Sequence, residues 1–298
     1  MEDMPVQEKR KELKQELLRE ILSMREIPTL PTVMQKILET ISDEKSSPQE
    51  LTRILESDPA ISTSVLRLAN SAFYGLSNNV DSIQRAVVLI GFDAVEMLAL
   101  ATSVIGAFSE HEPHGFDADD FWMHALGTAK ASQMVALDVG EKDSAEMCFT
   151  AGLLHDIGKY LSALALPEKY ARLLAGAREQ EVPVHVMEKR LMGVDHSYVA
   201  GWVTAKWLFP AVIVETLRYQ FQPRSAWPDV CKTELEIVLL GEKISKAAAY
   251  GFAGDPNEGL SVSDVPTDMG IKFEEALEMV GELESMKSET REVLNLLG

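Results

Sequence analysis

Leu153-Leu154-His155-Asp156-Ile157-Gly158-Lys159 sets an imidazole and a carboxylate side by side in an apolar segment. Successive residues on a helix project about 100° apart, so His155 and Asp156 can share one metal ion only at a turn or a helix end. Gly158 reads as the terminator that supplies such an end. An imidazole nitrogen beside a carboxylate oxygen suits divalent Fe, Mn, Ni, Zn or Mg. Taken alone the pair says little, because a histidine beside two leucines is more often packed and hydrogen-bonded than ligating.

Three further positions change the weighing. His124 lies mid-helix in Asp120-Phe121-Trp122-Met123-His124, with Asp120 one turn earlier on the same face. His196 follows Asp195, which reads as a helix cap, and so falls in a first turn. Glu242 interrupts the run Ile237-Val238-Leu239-Leu240-Gly241, where a carboxylate is unfavourable without a partner. Singly, each is a satisfied core group or a cap; together, four helices direct metal-competent groups out of apolar surroundings.

Working outward, helical spacing dominates and no alternating run with hairpin punctuation is found. Leu13, Leu17, Ile21 and Leu22 form a stripe on a charged first helix. A second helix over 31–42 places Val33, Ile37, Leu38 and Ile41 on one side, after a stretch with Pro28 and Pro31. Ser47-Pro48-Gln49-Glu50 starts a third helix, Asp58-Pro59 a fourth, and Ser82 a fifth that Gly91 ends. Residues 94–108 continue as a very apolar helix. The acidic stretch 110–120 reads as a surface linker. Helices follow near 119–137, 144–158, 167–180, 184–192, 195–208, 210–221 and 232–250, then a loop to 270 and a last helix over 271–296. The expected organisation is all-α and two-lobed: an amphipathic helix (1–22), an N-terminal helical lobe (23–109), a second lobe (110–250), and a loop with a C-terminal helix (251–298).

Composition narrows the function classes. The 298 residues carry 28 Lys+Arg against 47 Asp+Glu, a formal charge of −19. Such a surface repels phosphate backbones and anionic membranes, and no basic recognition helix offsets it near Gly91. No nucleic acid and no membrane partner is expected. Asp93 and Glu96 break the greasiest stretch, which is not a membrane span. Cys148 and Cys231 stand apart without a CxxC, so no disulfide framework is implied and a reduced cytoplasmic setting is expected.

The ordered set His124, His155-Asp156 and a later acidic residue resembles the HD-domain metal-dependent phosphohydrolases. The N-terminal half resembles the HDOD family of bacterial signalling proteins more closely. The matching stretches are Ile27-Pro28-Thr29-Leu30-Pro31, Ser57-Asp58-Pro59-Ala60-Ile61-Ser62, Leu66-Arg67-Leu68-Ala69-Asn70-Ser71-Ala72, and Ser82-Ile83-Gln84-Arg85-Ala86 with Leu89-Ile90-Gly91. The likeness runs over residues 20–251. It implies an HD-like helical core, similar in fold to the HD-GYP phosphodiesterases, behind an N-terminal helical bundle.

The resemblance assigns His124 to the first HD histidine, His155-Asp156 to the name-giving pair, Lys159 to the catalytic lysine and His196 to a further ligand histidine. Asp120 stands where HD-GYP relatives carry a glutamate, and Glu242 where the final aspartate belongs. A paired histidine is missing: Gln220 and Phe221 occupy that place, and the GYP segment is absent. Glutamine is a poor ligand for transition metals and phenylalanine is none. The expected site is therefore one divalent ion held by His124, His155, Asp156 and Glu242, with His196 or Asp120 as an added ligand or support. No organic cofactor site is expected.

Lys189-Arg190, Arg218 and Arg224 are the other basic residues available to a phosphate, and none sits in a recognisable cradle. Two functional readings follow. In one, the chain is a bacterial signal-transduction protein acting through a protein partner or a small nucleotide second messenger. In the other, it is a metal-dependent phosphohydrolase acting on a nucleotide or cyclic dinucleotide.

Overall fold

The computed structural model of the chain describes residues 6–23, 32–42, 47–71, 74, 76, 79–108, 111–256 and 258–295. Residues 27–31, Ala72 and Glu110 lie outside that set, as do the side chains of Ile41 and Val293. Among the described residues all regular structure is helical and no strand forms.

The first lobe is built by local rules that can be read residue by residue. Helix α3 (Pro48–Glu56) starts at Ser47, whose hydroxyl accepts from the Glu50 amide. Helix α4 (Pro59–Ala69) starts at Asp58, whose carboxylate accepts from the Ala60 and Ile61 amides. The Ser62 hydroxyl then donates to the Leu55 carbonyl at 2.7 Å and ties α4 to α3. Asn70 ends α4; its amide group donates to the Leu66 and Val80 carbonyls, and its oxygen accepts from the Val80 amide. That pairing closes the connection to α5 (Ile83–Ile90), which is capped by Ser82 and ends at Gly91 with φ +97°. The aspartate, serine and asparagine of these stretches thus work as caps and clasps.

Helix α2 (Thr32–Ser42), α4 and α5 pack on α6 (Phe92–Phe108), whose far side meets α8 (Ala145–Leu154). Contact on both sides explains why α6 is buried almost all round. Glu96 is buried there too and accepts from the Thr40 hydroxyl at 2.6 Å. No helix among the described residues is long and apolar enough to cross a membrane. Helix α1 (Val6–Ser23) buries Leu17 and Ile21 against α9 (Ile157–Ala165), while Leu22, one step round the helix, is exposed.

The second lobe is organised about α7 (Ala118–Asp138). Helices α8 and α14 (Lys232–Ala247) lie along it, with α15 (Phe273–Asn295) behind. Close approach depends on small residues: a Cβ at Gly152 would sit 2.9 Å from the Thr128 carbonyl oxygen and the Ala129 Cα. Helices α10 (Pro167–Glu179), α11 (Val184–Leu191), α12 (His196–Lys206) and α13 (Ala211–Arg218) complete the lobe.

One expectation is corrected. The single helix expected over 144–158 is two, α8 and α9, and the chain breaks at His155-Asp156 themselves. Gly158 is not the terminator; it lies inside α9, where any Cβ would collide with the His196 backbone carbonyl. Its smallness lets α9 touch α12.

Candidate metal centre

The helix break turns the two neighbouring side chains into one space. His155 is the C-cap of α8 and Asp156 the N-cap of α9, with φ −103° and ψ 3°. His124 on α7 completes the set: one ligand atom from each of His124, His155 and Asp156 lies within 4.8 Å of the other two. The two imidazole rings stand 5.1 Å apart. All three residues are buried.

Hydrogen bonds decide which atoms are free. His155 Nδ1 lies 2.6 Å from the Gly152 carbonyl, which accepts its proton and leaves Nε2 with a lone pair. That Nε2 and both nitrogens of His124 are buried without a hydrogen-bond partner. Asp156 Oδ2 faces them, 3.4 Å from His155 Nε2 and 3.7 Å from His124 Nε2. Buried nitrogens with no partner are unfavourable unless something occupies the space between them. Burial, with His155 adding to it, pushes His124 down to about 3, so its ring is neutral at pH 7 and needs no proton removed to ligate. A divalent ion fits this donor set.

Asp156 is held from behind. His196 Nε2 donates to its Oδ1 at 3.1 Å, and Lys159 Nζ donates to its Oδ2 at 2.9 Å. Burial would raise the Asp156 carboxyl, but His155 and Lys159 outweigh it and hold the group well below the usual range. His196 is protonated against burial because Glu188 and Asp156 flank it, and it is pushed up to about 10. Glu188 is fully buried; it accepts from the Tyr170 hydroxyl, the His196 amide and His196 Nδ1 at 2.6–2.8 Å. Lys159 has a second partner, Asp255 Oδ2, at 2.7 Å, and Asp255 Oδ1 accepts from the Val184 amide.

The other expected site residues lie outside this group of three, some of them in contact with it. His196 spends both ring nitrogens on carboxylates, so it supports Asp156. Glu242 pairs with Lys246 at 2.6 Å, is held down to about 2 against its burial by Lys246 and His155, and falls outside the close set. Asp120 is turned to Arg291 of α15 at 3.0 Å. Gln220 donates to the His155 and Leu217 carbonyls. Phe221 stacks on His185, 4.0 Å between centroids. Lys189, Arg218 and Arg224 are each paired with a carboxylate.

Sequence reasoning missed Glu188 and Asp255. Glu188 carried a signal, since it shares a buried face with Val184 at helical spacing. Asp255 carried none: Gly254-Asp255-Pro256 reads as an ordinary turn.

The HDOD domain profile matches residues 27–223 of the chain. The chain belongs to the HDOD domain family. Among solved structures, this HDOD protein is similar to an HDOD domain protein of unknown function from Geobacter sulfurreducens. The likeness covers 98% of this chain and 99% of that one at 23% identity, with a TM-score of 0.79. It is also similar to a Shewanella amazonensis SB2B protein provisionally named a phosphohydrolase: 26% identity, 96% and 99% coverage, TM-score 0.72. A Marinobacter aquaeolei VT8 protein provisionally named for signal transduction gives 21% identity, 99% and 67% coverage, and a TM-score of 0.76. Likeness at such identity speaks for the fold. An uncharacterized Treponema pallidum protein is 24% identical over 194 residues, which is 65% of this chain but only 37% of that relative.

His124 and His196, shifted in opposite directions, predict a stability profile that falls on both sides of neutrality. His124 binds its proton less tightly folded than unfolded, so its contribution is present above the unfolded value of 6.5 and is lost as pH falls toward 3. His196 is the reverse: its contribution is full below 6.5 and is lost as pH rises toward 10. Each limb has a slope of up to about 1.4 kcal/mol per pH unit. Urea unfolding of metal-free protein across pH checks this, and His196→Gln is expected to flatten the alkaline limb.

Proposed function

We propose that this HDOD protein is a regulatory module of bacterial signal transduction that seats one divalent ion and acts by binding a ligand or a protein partner. The observation that carries the reading is the fate of Gln220 and Phe221, which stand where further metal ligands are expected. The Gln220 amide is committed to the His155 carbonyl, and Phe221 is committed to a ring stack. Three ligand groups remain, enough for one ion with open positions and too few for the clusters of HD-GYP relatives.

A divalent ion held by His124, His155 and Asp156 would supply Lewis acidity toward an oxygen ligand. The chain's own residues do the positioning. His196, backed by Glu188, fixes one oxygen of Asp156, and Lys159, backed by Asp255, fixes the other. Every cation beside the cluster is neutralised by a carboxylate, which leaves little to hold a transferring phosphoryl group.

The second reading, a metal-dependent phosphohydrolase, is favoured by buried Lys159 at the edge of an open cavity. One experiment separates the two. Protein loaded with Fe, Mn, Ni, Zn or Mg is assayed with bis(p-nitrophenyl) phosphate. Retained metal without turnover is expected. Hydrolysis that disappears in Asp156→Ala overturns the regulatory reading.

A further inference from the structure

Beside Lys159 opens a cavity of about 1010 Å³, bounded by α10, α14, the residues after α13, and residues 252–256 and 258–266. Its floor is aromatic. Phe221 lies flat on His185 with 7° between the ring planes, and Trp227, Phe252 and Leu239 extend the apolar lining. Phe221, which stands where the resemblance implies a histidine, thus brings a ring to this floor, with one face covered by His185 and Lys189 Nζ 5.9 Å from its centroid.

The charges around this floor are unequal. The lining holds the carboxylates Glu181, Glu236, Glu242, Asp255, Glu258 and Asp264 against Lys159, Arg178, Lys243 and Lys246. Six against four leaves a surplus of two negative charges in the lining, of which Glu236 is met from outside it by Arg224 at 2.8 Å. The three lysines are already engaged: Lys159 with Asp255 at 2.7 Å, Lys246 with Glu242 at 2.6 Å, and Lys243 with Asp264 at 3.5 Å. A phosphate group entering here finds Arg178 as the lining cation without a carboxylate partner among the described residues, and elsewhere it would have to displace a carboxylate from an ammonium while facing the surplus. A cation meets the surplus directly, and a flat one also gains contact with a ring face.

We propose that this cavity binds a flat organic cation, an amine or amidine carried on an aromatic body, in preference to a phosphate-bearing ligand. The assignment deepens the regulatory reading by naming a ligand class and rests on that reading for its role. Binding itself involves Phe221 and the acidic lining and is independent of the ion.

Calorimetric titration of the full chain with benzamidine, benzoate and AMP tests it, with metal content measured on the same preparation. Benzamidine is expected to bind at least roughly tenfold more tightly than benzoate, which has the same ring and the opposite charge, or AMP. Added salt is expected to weaken it. Phe221→Ala is expected to lower benzamidine affinity roughly tenfold, and Glu181→Lys, at an exposed rim position, several-fold. No benzamidine binding, equal binding of benzoate or AMP, or affinity untouched by both variants overturns the assignment. Protein that holds metal but takes up no benzamidine defeats this proposal and leaves the metal reading intact. Protein that binds benzamidine without retaining metal upholds the proposal and defeats the metal reading.

Discussion

Asp156→Ala is expected to lower the unfolding free energy of the metal-free protein by about 3–5 kcal/mol. The carboxylate faces two buried cations, Lys159 and the imidazolium of His196, and hydrogen-bonds to both. Removing it leaves Lys159 with Asp255 alone and His196 with Glu188 alone, and opens a void where solvent does not reach. An uncompensated buried charge weighs far more than a lost surface pair. Asp255→Ala serves as the comparison: that carboxylate is 15% exposed at the cavity edge, so water can take its place beside Lys159. Its effect is expected to be clearly smaller. Urea denaturation of the three proteins at pH 7 measures the difference, and an Asp156→Ala protein as stable as the wild type would refute the charge network described here.

The electrostatics also explain why the site was only partly legible in the sequence. His124 and His155-Asp156 stood out because polar groups in apolar helical surroundings demand partners, and the structure brings those three together. His196 was visible through its cap, Asp195, whose side chain accepts from the Tyr198 amide as expected. Glu242 and Asp120 met the same criteria and yet satisfy other charges, Lys246 four residues on and Arg291 on the last helix. Such a choice between partners is made by helix packing, which spacing along one helix does not encode. Asp255 was hidden for the same reason, since a turn residue reaches Lys159 only after the loop folds back over α9.

The fold was more legible than the site because its signals are local. Ser47, Asp58 and Ser82 cap helices where capping residues are expected, and the long apolar helix is buried on nearly every side. Gly158 misled because a glycine after a polar pair reads equally as a terminator or as a contact point. Packing against the His196 carbonyl requires the latter.

The largest effect anticipated is on metal content. Three buried nitrogens without partners, two rings 5.1 Å apart and a carboxylate fixed from behind make a cage with an unmet demand for an electrophile. In His155→Ala the carboxylate support from His196 and Lys159 remains, so the fold is expected to persist. The vacated ligand position leaves one imidazole and one carboxylate, too few to retain an ion through purification. Asp120→Ala, which removes only the Arg291 pair, is expected to keep the metal.

The most direct measurement is elemental analysis of wild type, His155→Ala and Asp120→Ala, each purified without chelator and loaded in parallel with Fe, Mn, Ni, Zn and Mg. Stoichiometric divalent metal in the wild type and Asp120→Ala, with essentially none in a folded His155→Ala, is the predicted result. A wild type that takes up no metal, or a His155→Ala protein that holds as much, would contradict the assignment of the His124–His155–Asp156 cage.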